Sequence, residues 1–180
     1  NPYDTNTHAS FFDPGWMFGL AAPSTLESGV FDVVIGNPPY VRQEELKSQS
    51  VIGSDGKPQP LKDALKGQYE CFTGTADLYV YFFERSLQLL HPGGVLSFIT
   101  SNKYFRAGYG ERLRTYLAYA TRPSAVLDFG DAPVFTSIAY PAILVTQKTR
   151  SVELGKLPKK VEAKEWESRV MTWAPGPDIR

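Results

Sequence analysis

The 180-residue chain carries nineteen basic and nineteen acidic side chains and is 42% apolar, enough for one domain with a real core. The cancelled charge excludes any argument from net electrostatics for nucleic acid or membrane binding. A single cysteine, Cys71, excludes an internal disulfide and a thiolate zinc site, and two histidines, His8 and His91, make no metal cage; no metal is expected.

No apolar run reaches the ~18 residues that span a bilayer, and no signal peptide is visible, so the expected compartment is the cytoplasm. The first residue is Asn1, which fits a piece of a longer chain. Residues 1–30 read as an irregular lead-in, with Phe11, Phe12, Trp16 and Phe18 around Asp13-Pro14-Gly15. Phe31 to Gly36 is short, β-branched and uncharged after Asp32, which predicts a strand buried on both faces. It runs into Asn37-Pro38-Pro39-Tyr40, where two prolines cannot continue a ladder. Residues 41–74 are polar and hold Gly53, Gly56, Pro58 and Pro60, the pattern of a long, mobile, partly helical excursion.

Residues 75–90 predict a helix. Asp77 or Thr75 can cap it, and Tyr79, Phe82, Phe83, Leu87 and Leu90 form an apolar stripe at spacings of three and four. Pro92, Gly93 and Gly94 should stop it. Residues 95–100 predict a second strand, and 109–120 a second helix with Tyr109, Leu113, Tyr116, Leu117 and Ala120 on one face. Residues 125–129 and 142–147 predict two more strands. Residues 150–180 alternate in charge and end near Pro175-Gly176-Pro177, as a linker or tail would.

This rhythm predicts an α/β fold with a mostly parallel sheet. Residues 130–141 can only make a tight return, so the last strand should run antiparallel to the others. The expected organisation is a lead-in over 1–30, a catalytic unit over 31–150 and a tail over 151–180. Local charge is uneven: between positions 101 and 122, Lys103, Arg106, Arg112, Arg114 and Arg122 face Glu111 alone. A solvated helix face or a phosphate-contacting surface would both produce that run.

In an open α/β sheet the ligand lies beyond the carboxyl ends of the strands, where Asn37 to Tyr40 fall. An exocyclic amino group is a poor nucleophile because its lone pair is delocalised into the ring. Two acceptors aimed at its hydrogens would pull the nitrogen toward tetrahedral geometry. The Asn37 side-chain oxygen is one, and the Pro38 carbonyl is the other. Pro38 and Pro39 fix φ and remove two donors, leaving a stiff loop that offers carbonyls only. Tyr40 adds a flat face on which a base could stack.

With these residues the chain resembles the adenine-specific (N6) DNA methyltransferases of the gamma class, as in type IIG restriction–modification and phage-defence methylases. FDVVIGNPPYVRQEEL is similar to their fourth motif and its extension, and residues 75–117 to their fifth and sixth. SAVLDFGDAPVF and YPAILVTQK resemble the seventh and eighth, and FFDPGWMFG the segment before the catalytic strand. The resemblance covers roughly residues 8–150. It implies part of a class I, Rossmann-like methyltransferase fold that uses S-adenosylmethionine on a flipped adenine of duplex DNA.

By that resemblance Asn37, Pro38, Pro39 and Tyr40 form the catalytic loop, and Asp77, Tyr79 and Phe82 border the cofactor pocket. Asn102 and Lys103 fall near the mouth. The last-strand aromatic that stacks on the base in some relatives is matched most nearly by Thr146, with Tyr140 as a substitute. The family's glycine-rich turn and its acidic cofactor residues have no match here, and Asp4 and Asp13 stand in the wrong setting. The expectation is an incomplete cofactor pocket, a missing recognition domain and a piece inactive alone. An exposed apolar edge on the Phe31 to Gly36 strand would invite pairing with a second copy. Protein-glutamine and ribosomal guanine methyltransferases also use Asn-Pro-Pro-Tyr, and a non-catalytic binding module is a further alternative.

Overall fold

The structure is a computed structural model and describes residues 29–53, 55–132, 134–135, 140–162 and 167–172. The aromatic cluster from Phe11 to Phe18, together with Asp4 and Asp13, lies outside the described residues. A five-stranded sheet has the order β1 (Phe31–Gly36), β4 (Leu90–Ser101), β6 (Pro141–Lys148), β5 (Thr121–Asp128) and β7 (Arg169–Thr172). β1 pairs parallel with β4, β6 pairs antiparallel with both β4 and β5, and β7 pairs parallel with β5. Four strands therefore share one direction and β6 alone opposes them, as the short return through 129–140 requires. β7 is an addition, since the sequence read that stretch as tail.

Helices α3 (Tyr79–Leu89) and α4 (Glu111–Ala120) cover one face of the sheet. Their apolar stripes bury Tyr79, Phe83 and Leu87 from α3 and Leu113, Tyr116 and Ala120 from α4 against Leu96, Phe98 and Leu144. Each leucine or phenylalanine among them contributes roughly 1.5–3 kcal/mol when fully buried. Burial along β4 alternates, with Leu96, Phe98 and Thr100 toward the helices and Val95, Ser97 and Ile99 half-buried. β1 departs from the expectation of burial on both faces: Val33 and Ile35 are 53% and 78% exposed, and the strand forms a sheet edge among the described residues.

Three local expectations give way to packing. α3 starts at Tyr79 rather than 75, and no side chain caps it, because the Asp77 carboxylate is bonded elsewhere. Pro92, Gly93 and Gly94 do not end that helix. The chain already turns extended at Leu90, and these residues bulge out of β4, since Phe31 pairs with Leu90 while Val33 pairs with Val95. Gly93 there adopts φ +95°, which a side chain would oppose. The excursion after Tyr40 holds defined elements, α1 (Gln43–Leu46), a hairpin of β2 (Ser50–Ile52) and β3 (Pro58–Pro60), and α2 (Leu61–Lys66). No described helix is long and apolar enough to cross a membrane.

Within α3, Glu84 is 1% exposed. Its carboxylate accepts the Glu70 N–H at 2.8 Å and the Cys71 N–H at 2.7 Å. Glu70 in turn takes the Arg112 guanidinium at 2.6 Å and the Gly155 N–H, so residues beyond β6 are tied back to the domain, with Leu157 in the core. Burial pushes the Glu84 carboxyl above its ordinary range. The folded chain therefore binds this proton more tightly than the unfolded one. The Glu84 contribution to stability falls as pH rises from the unfolded value, about 4.3, through the raised folded value. Glu84→Gln should abolish that slope in denaturation curves taken across mildly acidic pH. It should also lower stability at neutral pH by about 1–3 kcal/mol, because one backbone N–H would face an amide donor.

Candidate active site

The candidate catalytic loop leaves β1 at the carboxyl end of the sheet. Pro38 is buried and anchors the loop, whereas Asn37 is exposed and its side chain has no bonding partner among the described residues. Tyr40 is half-buried, its hydroxyl 3.5 Å from the Ile99 carbonyl of the neighbouring strand. Burial raises the Tyr40 pKa, so the phenol is neutral at physiological pH. Its ring lies 5.9 Å from that of Phe135, inclined at 58°. The loop at the end of β1 thus carries an exposed amide, unbonded among the described residues, and three residues on a ring paired with Phe135.

Phe135 escaped the sequence reading, which weighed Thr146 and Tyr140 for an aromatic contact. Thr146 is fully buried, opposite Leu96 on the helix-covered face, with an unpartnered hydroxyl. Its side chain is enclosed on that face, because side chains one residue apart along a strand point to opposite faces. The available signal for Phe135 was a bulky aromatic within a loop of turn formers at the carboxyl end of a strand.

Tyr140 is 42% exposed and has φ +43°, the single positive φ of a non-glycine residue among those described. Such a conformation is costly for a bulky side chain and persists where neighbours hold it. Here the Tyr140 carbonyl accepts the Asn102 N–H at 2.8 Å. The Asn102 amide donates to Asp128 at 3.0 Å, and the same carboxylate oxygen accepts the Gly130 N–H at 3.0 Å. Asn102 is therefore engaged in joining the ends of β4 and β5. Lys103 and Arg106, on the 3-10 turn after β4, are exposed at that end of the sheet. Gly110 supports this turn: a Cβ there would meet the Tyr104 carbonyl oxygen at 2.3 Å, so any side chain must displace it.

The three residues expected at the cofactor pocket separate. Tyr79 is 1% exposed and its hydroxyl lies 2.8 Å from that of Tyr109, which places it in the core and does not fit a ligand contact. Asp77 accepts the Gln43 N–H at 3.2 Å and the Tyr109 hydroxyl at 3.1 Å. Phe82 is 40% exposed, on the face of α3 turned from the core, and offers a flat surface that fits a planar ring such as adenine.

Comparison with known proteins gives the family and the fold. The Eco57I restriction-modification methylase family matches residues 4–135. The Type II methyltransferase M.PaeR7I of Pseudomonas aeruginosa is 38% identical over 122 residues, which are 67% of this chain and 19% of that protein. The Type II restriction enzyme and methyltransferase RM.Eco57I of Escherichia coli is 31% identical over 127 residues, 70% of this chain and 12% of that protein. The chain thus spans a fifth or less of the length of these curated relatives. A crystal structure from Listeria monocytogenes, described as a class I S-adenosylmethionine-dependent methyltransferase, superposes with a TM-score of 0.51 at 18% identity. It covers 83% of this chain and 39% of that one, and it shares the fold. With the family match extending over most of its length, this chain is a member of the Eco57I restriction-modification methylase family.

Proposed function

We propose that this chain carries the catalytic loop of an S-adenosylmethionine-dependent methyltransferase that acts on adenine N6 in DNA. The observation that carries the reading is the exposed Asn37 amide, without a bonding partner among the described residues, on the same loop as buried Pro38 and a Tyr40 whose ring packs with Phe135. The cofactor, when bound, supplies an electrophilic methyl group. Asn37 and the Pro38 carbonyl accept the two amino hydrogens and release the nitrogen lone pair. The nitrogen forms its new bond to carbon as the carbon–sulfur bond breaks, and the surplus proton passes to solvent. Tyr40 offers its face to the flipped base, a contact worth ~1–3 kcal/mol per base, with Phe135 packed at a tilt against it. Phe82 is the residue offered to the cofactor ring. Orientation of the reactants supplies much of the acceleration, which is why a stiff loop matters.

The test is to supply the complete protein with methyl-labelled S-adenosylmethionine and duplex DNA, and to digest the product to nucleosides. Label in N6-methyladenine supports the reading. Label in cytosine, or in glutamine of a release-factor peptide offered in parallel, overturns it.

The exposed Lys103 and Arg106 are assigned to DNA phosphates flanking the target. Changing either to alanine should weaken DNA binding similarly for every sequence, and should reduce the slope of log K against log[salt] by about 0.9. An unchanged slope in a filter-binding salt titration would remove them from the interface. The β1 edge, open among the described residues and with Val33 and Ile35 exposed, is proposed to pair with a second copy. Light scattering that finds monomer at high concentration counts against that pairing.

A further inference from the structure

The bonds around Asp77 join three separate parts of the domain. One carboxylate oxygen accepts the Gln43 N–H at 3.2 Å, and the other accepts the Tyr109 hydroxyl at 3.1 Å. Because the Tyr109 proton is committed to Asp77, the 2.8 Å contact between Tyr79 and Tyr109 has Tyr79 as its donor. Tyr79 opens α3 and Tyr109 lies just before α4, so the carboxylate stands where both helix starts meet. The next residue, Leu78, donates its N–H to the Val41 carbonyl at 3.0 Å. The Gln43 side-chain oxygen also accepts Lys62 Nζ at 3.2 Å, drawing α2 into the same junction.

Val41 directly follows Tyr40. Its carbonyl and the Gln43 amide are thus both fixed by consecutive residues, Leu78 and Asp77. Upstream of Tyr40 the chain is stiffened by Pro38 and Pro39. Downstream, nothing local imposes a direction, since α1 is four residues long and has no side-chain cap. The Asp77 bonds are charge-assisted and rest on a half-buried Tyr109 whose pKa burial pushes up to about 12, so that donor keeps its proton at any physiological pH.

We propose that Asp77 is a positioning residue: with Tyr109 and Tyr79 it clamps the chain leaving the Asn37 to Tyr40 loop and so sets the Tyr40 ring, rather than binding the cofactor. The proposal rests on the reading of that loop as the site of methyl transfer. A cofactor ligand and a loop clamp separate kinetically. Loss of a ligand weakens cofactor binding, whereas loss of a clamp slows the chemical step at unchanged cofactor affinity.

The experiment uses the complete protein with Asp77→Asn and, as the milder change, Tyr109→Phe. Three quantities are read: single-turnover methylation of duplex DNA, the calorimetric Kd for S-adenosylmethionine, and hydrogen exchange at the Gln43 and Leu78 amides. In both variants turnover should fall, by about tenfold or more for Asp77→Asn, with cofactor Kd within about twofold of wild type and the Gln43 amide exchanging faster. A cofactor Kd weakened about tenfold at unchanged turnover, or an unaltered Gln43 exchange rate, overturns the clamp. Wild-type protein that methylates no DNA overturns the proposed function instead, and the Gln43 exchange rates then still read the clamp by themselves.

Discussion

Replacing Asn37 by alanine is expected to lower methylation about 100- to 1,000-fold, the usual cost of removing one preorganised polar group from a charge-developing site. Stability should hardly change, because the side chain is exposed and makes no bond among the described residues. Cofactor affinity should also be retained, since on the proposed function the lost interaction is made to the target nitrogen and not to the cofactor. Asn37→Asp should behave differently from Asn37→Ala. It keeps an acceptor oxygen at the same place but adds a charge that must be desolvated beside the Tyr40 and Phe135 rings, so its activity should be intermediate. Initial rates with saturating DNA, read together with thermal melting of each variant, check this. Full activity in Asn37→Ala would end the assignment of the loop.

The largest stability effect should come from Phe83→Ala. Phe83 is fully buried and packs its ring against Phe98 at 5.1 Å and Tyr104 at 5.4 Å. It therefore joins α3, β4 and the 3-10 turn that carries Lys103. Truncation removes the transfer free energy of the ring and leaves a cavity that a helix–sheet contact cannot close, at a cost of about 3–5 kcal/mol. That is a large part of the 5–15 kcal/mol of an ordinary domain, roughly. Chemical denaturation should show the midpoint fall with little change in slope. A loss under about 1 kcal/mol would mean that the core relaxes around the gap. Activity should drop as well, through disorder of the mouth rather than through chemistry.

Some of this was legible along the chain. Tyr79, Phe83 and Leu87 repeat every four residues, a period that only a helix can bury on one side, and α3 follows it, whereas Phe82, expected in the same stripe, stands 40% exposed. The β-branched run before Asn37 is a strand for the same kind of reason. The reversed direction of β6 could be read from the brevity of the segment before it. Legibility ended where a bond partner lies far along the chain. Asp77 looked like a helix cap because the nearest orphan amides in sequence belong to its own helix. In the fold, Gln43 N–H and the Tyr109 hydroxyl reach it first. Pro92, Gly93 and Gly94 looked like a terminator, but pairing with β1 draws the strand back to Leu90 and leaves them as a bulge.

The amino-acid order alone determined the kinds and succession of the main elements, β1, α3, β4, α4, β5 and β6, and a rigid, carbonyl-rich loop at the end of a strand, because local sterics and side-chain period are properties of neighbours in the chain. Tertiary structure alone decided that β6 lies between β4 and β5, that Phe135 faces Tyr40, that Thr146 is sealed under α4, and that Tyr79 and Asp77 bond within the domain. Those outcomes depend on which distant surfaces exclude water together, and burial of that kind is set by the whole packed assembly rather than by any stretch of it.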